Sequence, residues 1–295
     1  MTKSLRVKVA IIAGVLAFGI SCLFYAYFIE PNRLVVRNRD IVINGWDPAF
    51  DGFRIVAVSD IHGGSNGGSA ANIRHLVETV NKQRADIVVL LGDFVSYDRS
   101  RQMVKMPITE IAGYLSEMRA KYGVFAVLGN HDGWYEDEKV ASELRTAGIT
   151  ILKDEMATVS LNTHKLRIFG IRDHFEMGSW RKFDSDLREK LSDSEQEGGI
   201  LVLEHSPDVF PVINEFNTFG EDFKLMIAGH THGGQVWLPI IGSPIVPSSY
   251  GQKYNYGHII ENGRHLFVTT GTGTSILPMR FLMPPEVVVL TIRAS

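Results

Sequence analysis

Seven polar residues stand in short groups that each follow an apolar run, and their side chains are of kinds that bind metal ions. Carboxylate, amide and imidazole groups suit divalent ions such as those of manganese, iron and zinc. The chain has a single cysteine, Cys22, which excludes a cysteine zinc cluster and an intrachain disulfide. The predicted metal ligands are Asp60, His62, Asp93, Asn130, His205, His230 and His232.

Two pairs among these residues have the spacing ligand-x-ligand. One residue separates Asp60 from His62, and one residue separates His230 from His232. On an extended segment, side chains two positions apart point to the same face, so each pair is expected to approach a metal cluster together. Either pair alone is more often a turn, a cap or a surface feature. The complete ordered set, with each member at the end of an apolar run, indicates a metal site.

Apolar strand-like runs must carry these residues to one place. The runs Phe53–Val58, Ile87–Leu91 and Val124–Leu128 are predicted buried strands, and each leads directly into a predicted ligand. In open α/β sheets the loops beyond the carboxyl ends of the strands form the site, so these strands are expected to deliver ligands to one edge. Apolar runs before His205 and His230 repeat the arrangement in the second half of the chain.

Helical spacing between these runs completes an alternation of strands and helices. Helices are predicted over Ala71–Arg84, Ile108–Lys121 and Lys139–Ala147, and Ser192–Gly199 is predicted to be a loop. We predict an α/β (α+β) fold of four layers, in which two sheets pack face to face and helices flank them. Further strands are predicted over Ile149–Leu152, Thr158–Leu161, Leu166–Ile171, Ile200–Leu203, Leu225–Ala228, His265–Thr269 and Val287–Ile292.

The N-terminal region carries the uncharged run VAIIAGVLAFGISCLFYAYF, from Val9 to Phe28. A helix with a rise of ~1.5 Å per residue would here span roughly 30 Å, the thickness of the hydrocarbon core. We predict a transmembrane helix that is an uncleaved anchor over residues 1–30, and a catalytic domain over residues 31–295. A cleaved signal peptide and a buried core helix are the alternatives. The bulky aromatic residues at the end of the run argue against a cleavage site.

Composition and net charge indicate a globular protein that does not bind nucleic acid. The 295 residues are 45% hydrophobic and 21% charged, as in a globular protein, and the net charge of −3 gives no reason to expect nucleic acid as a partner.

Basic residues flank the apolar run on both sides, so the positive-inside rule leaves open which side of the membrane the catalytic domain occupies. They are Lys3, Arg6 and Lys8 before the run, and Arg33, Arg37 and Arg39 after it.

The ordered ligand set resembles the calcineurin-like metallophosphoesterases. The resemblance covers about Phe53 to Thr274, and no ligand of the family motif is missing. It implies the metallophosphoesterase type of two-sheet sandwich, with two divalent metal ions bridged by Asp93. The motifs that carry it are Asp60-x-His62, Gly92-Asp93, Gly129-Asn130-His131-Asp132, His205 and Gly229-His230-Thr231-His232.

The chemistry that this resemblance implies is hydrolysis of a phosphate ester. We expect direct in-line attack on phosphorus by a metal-bridging hydroxide. His131, adjacent to the ligand Asn130, is the predicted general acid or electrostatic stabiliser of the leaving oxygen. Asp132 is predicted to orient the His131 imidazole, and a capping or turn role is its alternative. By the family pattern one metal ion would take Asp60, His62, Asp93 and His232, and the other would take Asp93, Asn130, His205 and His230.

Four further segments resemble the membrane-anchored bacterial branch of the family. They imply a single-pass protein of the inner (cytoplasmic) membrane. Its partners would be the lipid bilayer and a phosphate-containing substrate, which is lipid-linked if the substrate is UDP-2,3-diacylglucosamine. That branch includes broad phosphodiesterases and a UDP-2,3-diacylglucosamine hydrolase of lipid A synthesis. The segments are Glu30-Pro31-Asn32, Pro48-Ala49-Phe50-Asp51-Gly52, His205-Ser206-Pro207-Asp208 and Gly233-Gly234-Gln235.

Two later segments bear on substrate binding. The polar and aromatic segment Tyr250–Gly257 predicts that Lys253 faces a phosphate and that Tyr254 lines the site; a plain loop is the alternative. Leu277–Pro285 is unusually apolar for a connector, and it either packs in the core or contacts lipid. The remaining histidines are predicted to be surface or structural, and they are His75, His164, His174, His258 and His265.

The leading functional hypothesis is a dinuclear-metal phosphoesterase that cleaves a phosphodiester or pyrophosphate bond in a membrane-associated substrate. UDP-2,3-diacylglucosamine, cleaved to a lipid sugar phosphate and UMP, is its most specific form and requires a cytoplasmic active site. The first alternative is a broad phosphodiesterase or phosphatase for envelope or small diesters. The second is a catalytically silent binding scaffold, which the complete ligand set disfavours.

Overall fold

Aliphatic and β-branched runs form most of the strands, twelve of which lie in two six-stranded sheets, while two short ones pair with each other in a separate hairpin. The computed structural model describes residues 2–173 and 179–295, so the histidine His174 lies outside the described residues. The strands are β1 Val35–Ile43, β2 Phe53–Val58, β3 Ile87–Leu91, β4 Tyr97–Asp98, β5 Met103–Val104, β6 Val124–Val127, β7 Thr150–Ile151, β8 Glu155–Leu161, β9 His164–Gly170, β10 Gly199–Leu203, β11 Phe223–Ala228, β12 Gly257–Glu261, β13 Arg264–Val268 and β14 Glu286–Ala294. The helices are α1 Lys3–Phe24, α2 Ala70–Asn81, α3 Ile108–Leu115, α4 Asn130–Thr146, α5 Trp180–Ser192 and α6 Phe210–Phe216.

The first sheet has the strand order β1-β14-β2-β3-β6-β7. Strands β2, β3, β6 and β7 are parallel, while β14 runs antiparallel to β2 and parallel to β1. The carboxyl ends of β2, β3 and β6 therefore lie at the same edge as the amino ends of β1 and β14. We call this edge the site edge, because Asp60, Asp93 and Asn130 follow β2, β3 and β6 there.

The second sheet has the order β12-β13-β11-β10-β9-β8. Its four central strands are parallel, and its two edge strands run antiparallel to their neighbours. Parallel strands covered on both faces read as continuous apolar runs, which is the pattern of β10 and β11. These two strands lead into His205 and His230, so both sheets contribute ligands.

Three apolar cores separate four layers. Helices α2, α3 and α4 cover the outer face of the first sheet through residues such as Ile73, Ile111 and Val140. The two sheets pack on each other through a second core, and α5 and α6 cover the outer face of the second sheet through a third. The predicted four-layer sandwich of two sheets flanked by helices is therefore confirmed.

Several elements depart from the sequence prediction. Strand β1 was not expected, because the residues from Arg37 to Asp40 are polar and exposed and only main-chain pairing with β14 makes them a strand. Helix α4 begins at Asn130 instead of Lys139 and is kinked at Glu136. Helix α3 ends at Leu115, well before the predicted end. Strand β12 and helices α5 and α6 were also not predicted.

Helix α1 stands out from the sandwich and continues through a π-helical turn and a 3₁₀ turn to Asn32. This helical segment is long and apolar enough to cross a membrane, and only 6% of its most apolar window is buried. That exposure contradicts the alternative of a buried core helix. Its last turns do meet the sandwich, where Ala26, Glu30 and Pro31 are buried. Membrane insertion and the boundary between an anchor and a catalytic domain remain predictions.

Candidate metal centre

Four of the predicted ligands meet where β2 and β3 face the loop after β11. Their converging atoms are Asp60 Oδ1, His62 Nε2, Asp93 Oδ2 and His232 Nε2. His62 Nε2 lies 3.1 Å from His232 Nε2, and His232 Nε2 lies 3.4 Å from Asp60 Oδ1. Asp93 Oδ2 lies 3.4 Å from His62 Nε2. All four side chains are buried.

A second group forms around His205, which follows β10. Its Nε2 atom lies 3.5 Å from Asp93 Oδ2, 3.2 Å from Asn130 Oδ1 and 3.0 Å from His230 Nδ1. The other ring nitrogen, Nδ1, lies 2.7 Å from the carbonyl oxygen of Leu91, which fixes the ring plane. The same oxygen of Asp93 thus stands in both groups, and the seven predicted ligands lie together.

The donor set fits two divalent metal ions. Atoms bonded to one ion at about 2.1 Å, with angles of 90° to 109°, lie roughly 3.0–3.4 Å apart, which is the spacing found here. Asp60 Oδ1 has no hydrogen-bond partner among the described residues although it is buried. A buried carboxylate oxygen without a donor is costly unless a cation is bound to it. Three groups of described residues are able to hold an ion: Asp60, His62 and His232; Asp60, Asp93 and His205; and His62, Asp93 and His131.

The electrostatics of His62 and Asp60 suit a bound cation. Burial, together with the positive charge of nearby histidines, lowers the pKa of His62 to about 3, so this imidazole is neutral and has a free lone pair. Burial raises the pKa of Asp60 to about 6, and the negative charge of Asp93 adds to that rise. Two carboxylates so close repel each other, and a divalent ion between them would remove that repulsion.

The backbone at the ligands differs from the extended segments that we expected. Five ligand residues have positive φ angles, which are 53° at Asp60, 43° at His62, 55° at Asp93, 67° at His230 and 53° at His232. The left-handed conformation costs L-residues roughly 1–2 kcal/mol each. Each ligand-x-ligand pair therefore turns tightly, and its two side chains reach their partners from a bend rather than from one face of a strand.

Two glycines next to the ligands are required for space. A Cβ atom on Gly129 would lie 2.4 Å from Asp93 Oδ1, and one on Gly229 would lie 1.9 Å from Ser59 Oγ. Both distances are far below van der Waals contact. A larger residue at either position would push a ligand or its neighbour away, which explains why glycine precedes Asn130 and His230.

His131 lies beside the ligands, at the first turn of α4. Its backbone N–H donates to Asp93 Oδ1 at 2.8 Å, and its ring centre is 4.7 Å from that of His62. Its Nε2 atom lies 3.4 Å from Ser275 Oγ, and its Nδ1 atom has no hydrogen-bond partner among the described residues. The imidazole also lines the cavity above the centre, so it is placed to meet a bound substrate.

Asp132 makes contacts of the capping kind. Its carboxylate accepts the backbone N–H groups of Phe94 at 2.9 Å, Val95 at 3.1 Å and Gly129 at 3.0 Å. Burial, with the charge of Asp93, raises the pKa of Asp132 to about 7. These bonds join the loop after β3 to the start of α4. The placement supports the capping interpretation over the predicted orientation of the His131 imidazole.

A cavity of about 820 Å³ opens over the two groups of ligands. Besides the ligands its lining has two basic side chains, Arg99 and Lys105, two acidic ones, Asp98 and Asp208, and apolar ones that include Trp134. Arg99 lies in the turn of the short hairpin of β4 and β5, and Lys105 follows β5; the hairpin was not predicted, because its strands are too short to show periodicity. Within this mixed lining, the two basic side chains and the apolar ones are the groups that could contact an anion with an apolar part.

The structure does not bring Lys253 and Tyr254 to this cavity. Tyr254 is buried against Phe210, and its hydroxyl donates to Glu261 Oε2 at 2.8 Å. Lys253 Nζ lies 2.8 Å from Glu261 Oε1. The pair was predicted from a polar and aromatic composition, and the plain-loop alternative describes it better. The described histidines outside the motifs, His75, His164, His258 and His265, are also absent from the cavity lining.

Three residues that the sequence analysis did not assign a role support the site. Arg280 is buried, and its Nη2 atom lies 3.3 Å from His232 Nδ1. Burial lowers the pKa of His232, and the positive charges of His62 and Arg280 add to that lowering. Gln235 Nε2 donates to the carbonyl oxygen of Ser275 at 2.7 Å. Asp208 accepts the N–H of Ser249 at 2.7 Å. The last two bonds each join two residues of the cavity lining.

Comparison with known proteins gives one family. The model of the family described as calcineurin-like phosphoesterase matches residues 53–234. The chain is 30% identical to an uncharacterized metallophosphoesterase, YkuE, of Bacillus subtilis, over 97% of this chain and 94% of the relative. It is 28% identical to the phosphodiesterase YaeI of Escherichia coli, over 98% and 97%. It is also 26% identical to a transmembrane protein with metallophosphoesterase domain of Danio rerio, over 90% of this chain and 58% of the relative.

Proposed function

The chain belongs to the calcineurin-like phosphoesterase family and is a metal-dependent phosphoester hydrolase, and on this premise we propose that it cleaves a phosphodiester or pyrophosphate bond in a membrane-associated substrate. The observation that carries the proposal is Asp93 Oδ2, which stands in both groups of converging ligand atoms. A shared carboxylate oxygen is the feature that places two cations side by side. Such a pair suits a phosphodiester, whose two non-bridging oxygens share one negative charge.

The proposed roles follow from the donor atoms. Asp60, His62, Asp93 and His232 would hold one ion, and Asp93, Asn130, His205 and His230 would hold the other. Manganese, iron and zinc all suit these donors. When bound, the two ions would neutralise the phosphate and lower the pKa of an attacking water. Because Asn130 is neutral, its site keeps more positive charge for an anionic substrate than a third carboxylate would leave.

The remaining chemistry belongs to residues at the cavity. His131 would supply a proton or a positive charge to the leaving oxygen, because its imidazole lines the cavity and its Nδ1 atom has no partner among the described residues. Arg99 and Lys105 would attract the anionic substrate to the mouth. Trp134 and the isoleucines of the lining would contact its apolar part.

The membrane is part of the proposal. Helix α1 would anchor the protein in the inner (cytoplasmic) membrane as a single-pass segment, with the lipid bilayer as its partner. The helix is exposed and apolar, and one relative is named as a transmembrane protein. An anchor concentrates the enzyme where lipid-linked phosphates lie. UDP-2,3-diacylglucosamine is the specific substrate that we propose to test first.

A broad phosphodiesterase or phosphatase activity is the second candidate. The similarity to the phosphodiesterase YaeI favours it, since that name carries no lipid substrate. A silent scaffold is the third, and the complete ligand set disfavours it.

One experiment separates these candidates. Purified full-length protein is incubated with a UDP-acyl-sugar and with a simple aryl diester, with Mn²⁺ and with chelator. Release of UMP that chelator abolishes supports the lipid A hypothesis, and rapid cleavage of the diester alone contradicts it. No turnover of either compound in any metal, beside tight binding of a partner, would favour the scaffold.

A further inference from the structure

We propose that an apolar lip at the cavity mouth enters the surface of the lipid bilayer, so that the metal centre opens toward the membrane. The apolar lip consists of Ile240, Ile241, Ile245, Ile276 and Leu277. The proposal rests on the membrane anchoring proposed for α1, and it adds a second contact that the sandwich itself makes with lipid. Three observations support it: the strand topology, the hydrogen-bonded junction between the anchor helix and the sandwich, and the exposure of the apolar side chains.

Topology brings the anchor and the metal centre to the same edge of the first sheet. Strand β1 begins at Val35, directly after the helical turns that end at Asn32. Because β1 and β14 run antiparallel to β2, they begin at the site edge, where β2 and β3 lead into Asp60 and Asp93. If β14 ran parallel to β2, the anchor would meet the opposite edge. The helix and the mouth of the cavity therefore lie on one side of the molecule.

Hydrogen bonds fix the end of the anchor to the sandwich. The N–H of Arg280 donates to the carbonyl oxygen of Ala26 at 2.9 Å, and the N–H of Leu282 donates to Glu30 Oε2 at 2.7 Å. Glu30 is buried, so water does not compete for that bond. Asn66 also bridges the helix and the 277–285 segment, because its amide group donates to a carbonyl oxygen of each. The sandwich cannot turn freely about the helix.

The apolar lip is continuous with this junction. Phe281 follows Arg280 and pairs with the segment 235–237, since the N–H of Trp237 donates to the carbonyl oxygen of Phe281 at 2.8 Å. That segment leads into a tight turn closed by two hydrogen bonds between Leu238 and Gly242. The side chains at the tip of the turn are Ile240 and Ile241.

The other half of the apolar lip is held to the same loop. Gln235 Nε2 donates to the carbonyl oxygens of Ser275 at 2.7 Å and Leu277 at 3.3 Å, and the N–H of Ser275 donates to Gln235 Oε1 at 2.7 Å. Ile276 lies between these bonded residues and projects outward. The two halves therefore form one surface, and Ile276 and Leu277 are at once lip and cavity wall.

Ile240 and Ile276, the most exposed residues of the apolar lip, do not stabilise the fold in water. Ile240 is fully exposed and Ile276 is 88% exposed, so neither adds to a core. Their φ angles are 77° and 61°, a region that disfavours β-branched residues. Exposed apolar side chains held in strained backbone point to a binding surface. The occupant must be apolar and must extend past the anchor, which describes the lipid bilayer.

The experiment measures the depth of the apolar lip in full-length protein. Single cysteines are introduced as Ile240→Cys and Ile276→Cys in a Cys22→Ser background, labelled with a small fluorophore and placed in nanodiscs of equal parts phosphatidylcholine and phosphatidylglycerol. The control is Val42→Cys, an aliphatic position that is 57% exposed. Val42 is seven residues along β1 from Val35, and so about 23 Å from the site edge.

Both lip labels should be quenched by nitroxide lipids and should lose quenching by aqueous iodide, while the Val42 label should respond only to iodide. Iodide access at the lip equal to that at Val42 would overturn the proposal. Protection from both quenchers would also overturn it, since it would mean a protein contact.

Activity on a soluble aryl diester with Mn²⁺ is measured on the Ile240→Cys sample. Turnover with labels in water would refute the lip and leave the proposed hydrolase intact. Labels in lipid without turnover, both in nanodiscs and in detergent, would support the lip and count against the proposed cleavage of a phosphodiester.

Discussion

His131 lies close enough to His62 and Asp93 to hold a metal ion with them, so its proposed role as a general acid has to be tested separately from metal binding. His131→Ala should lower kcat on an aryl diester by about 10²–10⁴-fold, the usual contribution of a general acid, while metal content stays unchanged. Steady-state kinetics at one fixed metal concentration measures kcat, and elemental analysis of the same sample measures the metal content. An intact kcat would show that the assigned role is wrong, and a parallel loss of metal would make His131 a ligand.

Asp132 offers a second test at the residue scale. Asp132→Asn keeps the oxygen that accepts from Phe94 and Val95 but loses the acceptor for the Gly129 N–H. Leaving that buried donor without a partner should lower the free energy of unfolding by about 1–3 kcal/mol. Denaturant unfolding with metal present measures it. Unchanged stability with a shifted pH profile of kcat would instead restore the predicted orienting role.

Residue types and order were enough to predict which side chains converge. The ligand set could be named because each member follows an apolar strand, and the structure brings all seven together. The backbone at those residues could not be predicted, since positive φ at an aspartate or histidine leaves no mark in the sequence. Lys253 and Tyr254 do not line the cavity as predicted. Their polar groups contact Glu261 instead, and a polar aromatic composition does not distinguish these two cases.

At the scale of elements, the hairpin of β4 and β5 should select anionic substrates. Arg99→Ala should raise KM for an aryl diester several-fold at low salt, with kcat little changed, because the side chain lines the cavity away from the ligands. Arg101→Ala is the matched control, since Arg101 lies at the same hairpin, contacts Asp98 and does not line the cavity. Equal KM values for the two variants would remove Arg99 from substrate binding.

The elements that could be predicted are those with a strong apolar pattern. Strands β2, β3 and β10 were found within a residue or so because they are continuous runs of buried aliphatic side chains. Strand β1 was missed because pairing with β14, far away in the sequence, decides it. The start of α4 was missed because a cap formed by Gly129 and Asp132 begins the helix inside what reads as a turn.

At the scale of the whole molecule, metal ions should hold the two sheets together. The first sheet supplies Asp60, His62, Asp93 and Asn130, and the second supplies the remaining ligands, so bound ions would cross-link both halves. Chelation should lower Tm by roughly 5–10 °C, as expected for loss of a ligand held well above its Kd. Scanning calorimetry with chelator, and again after Mn²⁺ is restored, measures the change.

Two histidine variants serve as controls for that measurement. His205→Ala should reduce the effect of chelator on Tm, because His205 stands at the centre of the second group of ligands while the first group keeps its own. His258→Ala, which changes a histidine outside the cavity, should retain the full effect. A chelator response of the same size in both variants would contradict a metal bridge between the sheets.

The left-handed backbone of the ligands sets a limit on how this protein can be stabilised. Glycine adopts such φ angles without steric cost, so Asp60→Gly or His232→Gly would relieve backbone strain while removing a donor to the metal. A selection for thermal stability in chelator would thus favour the substitutions that destroy the enzyme. Selection for activity would instead retain a centre that is harder to fold than its own inactive variants.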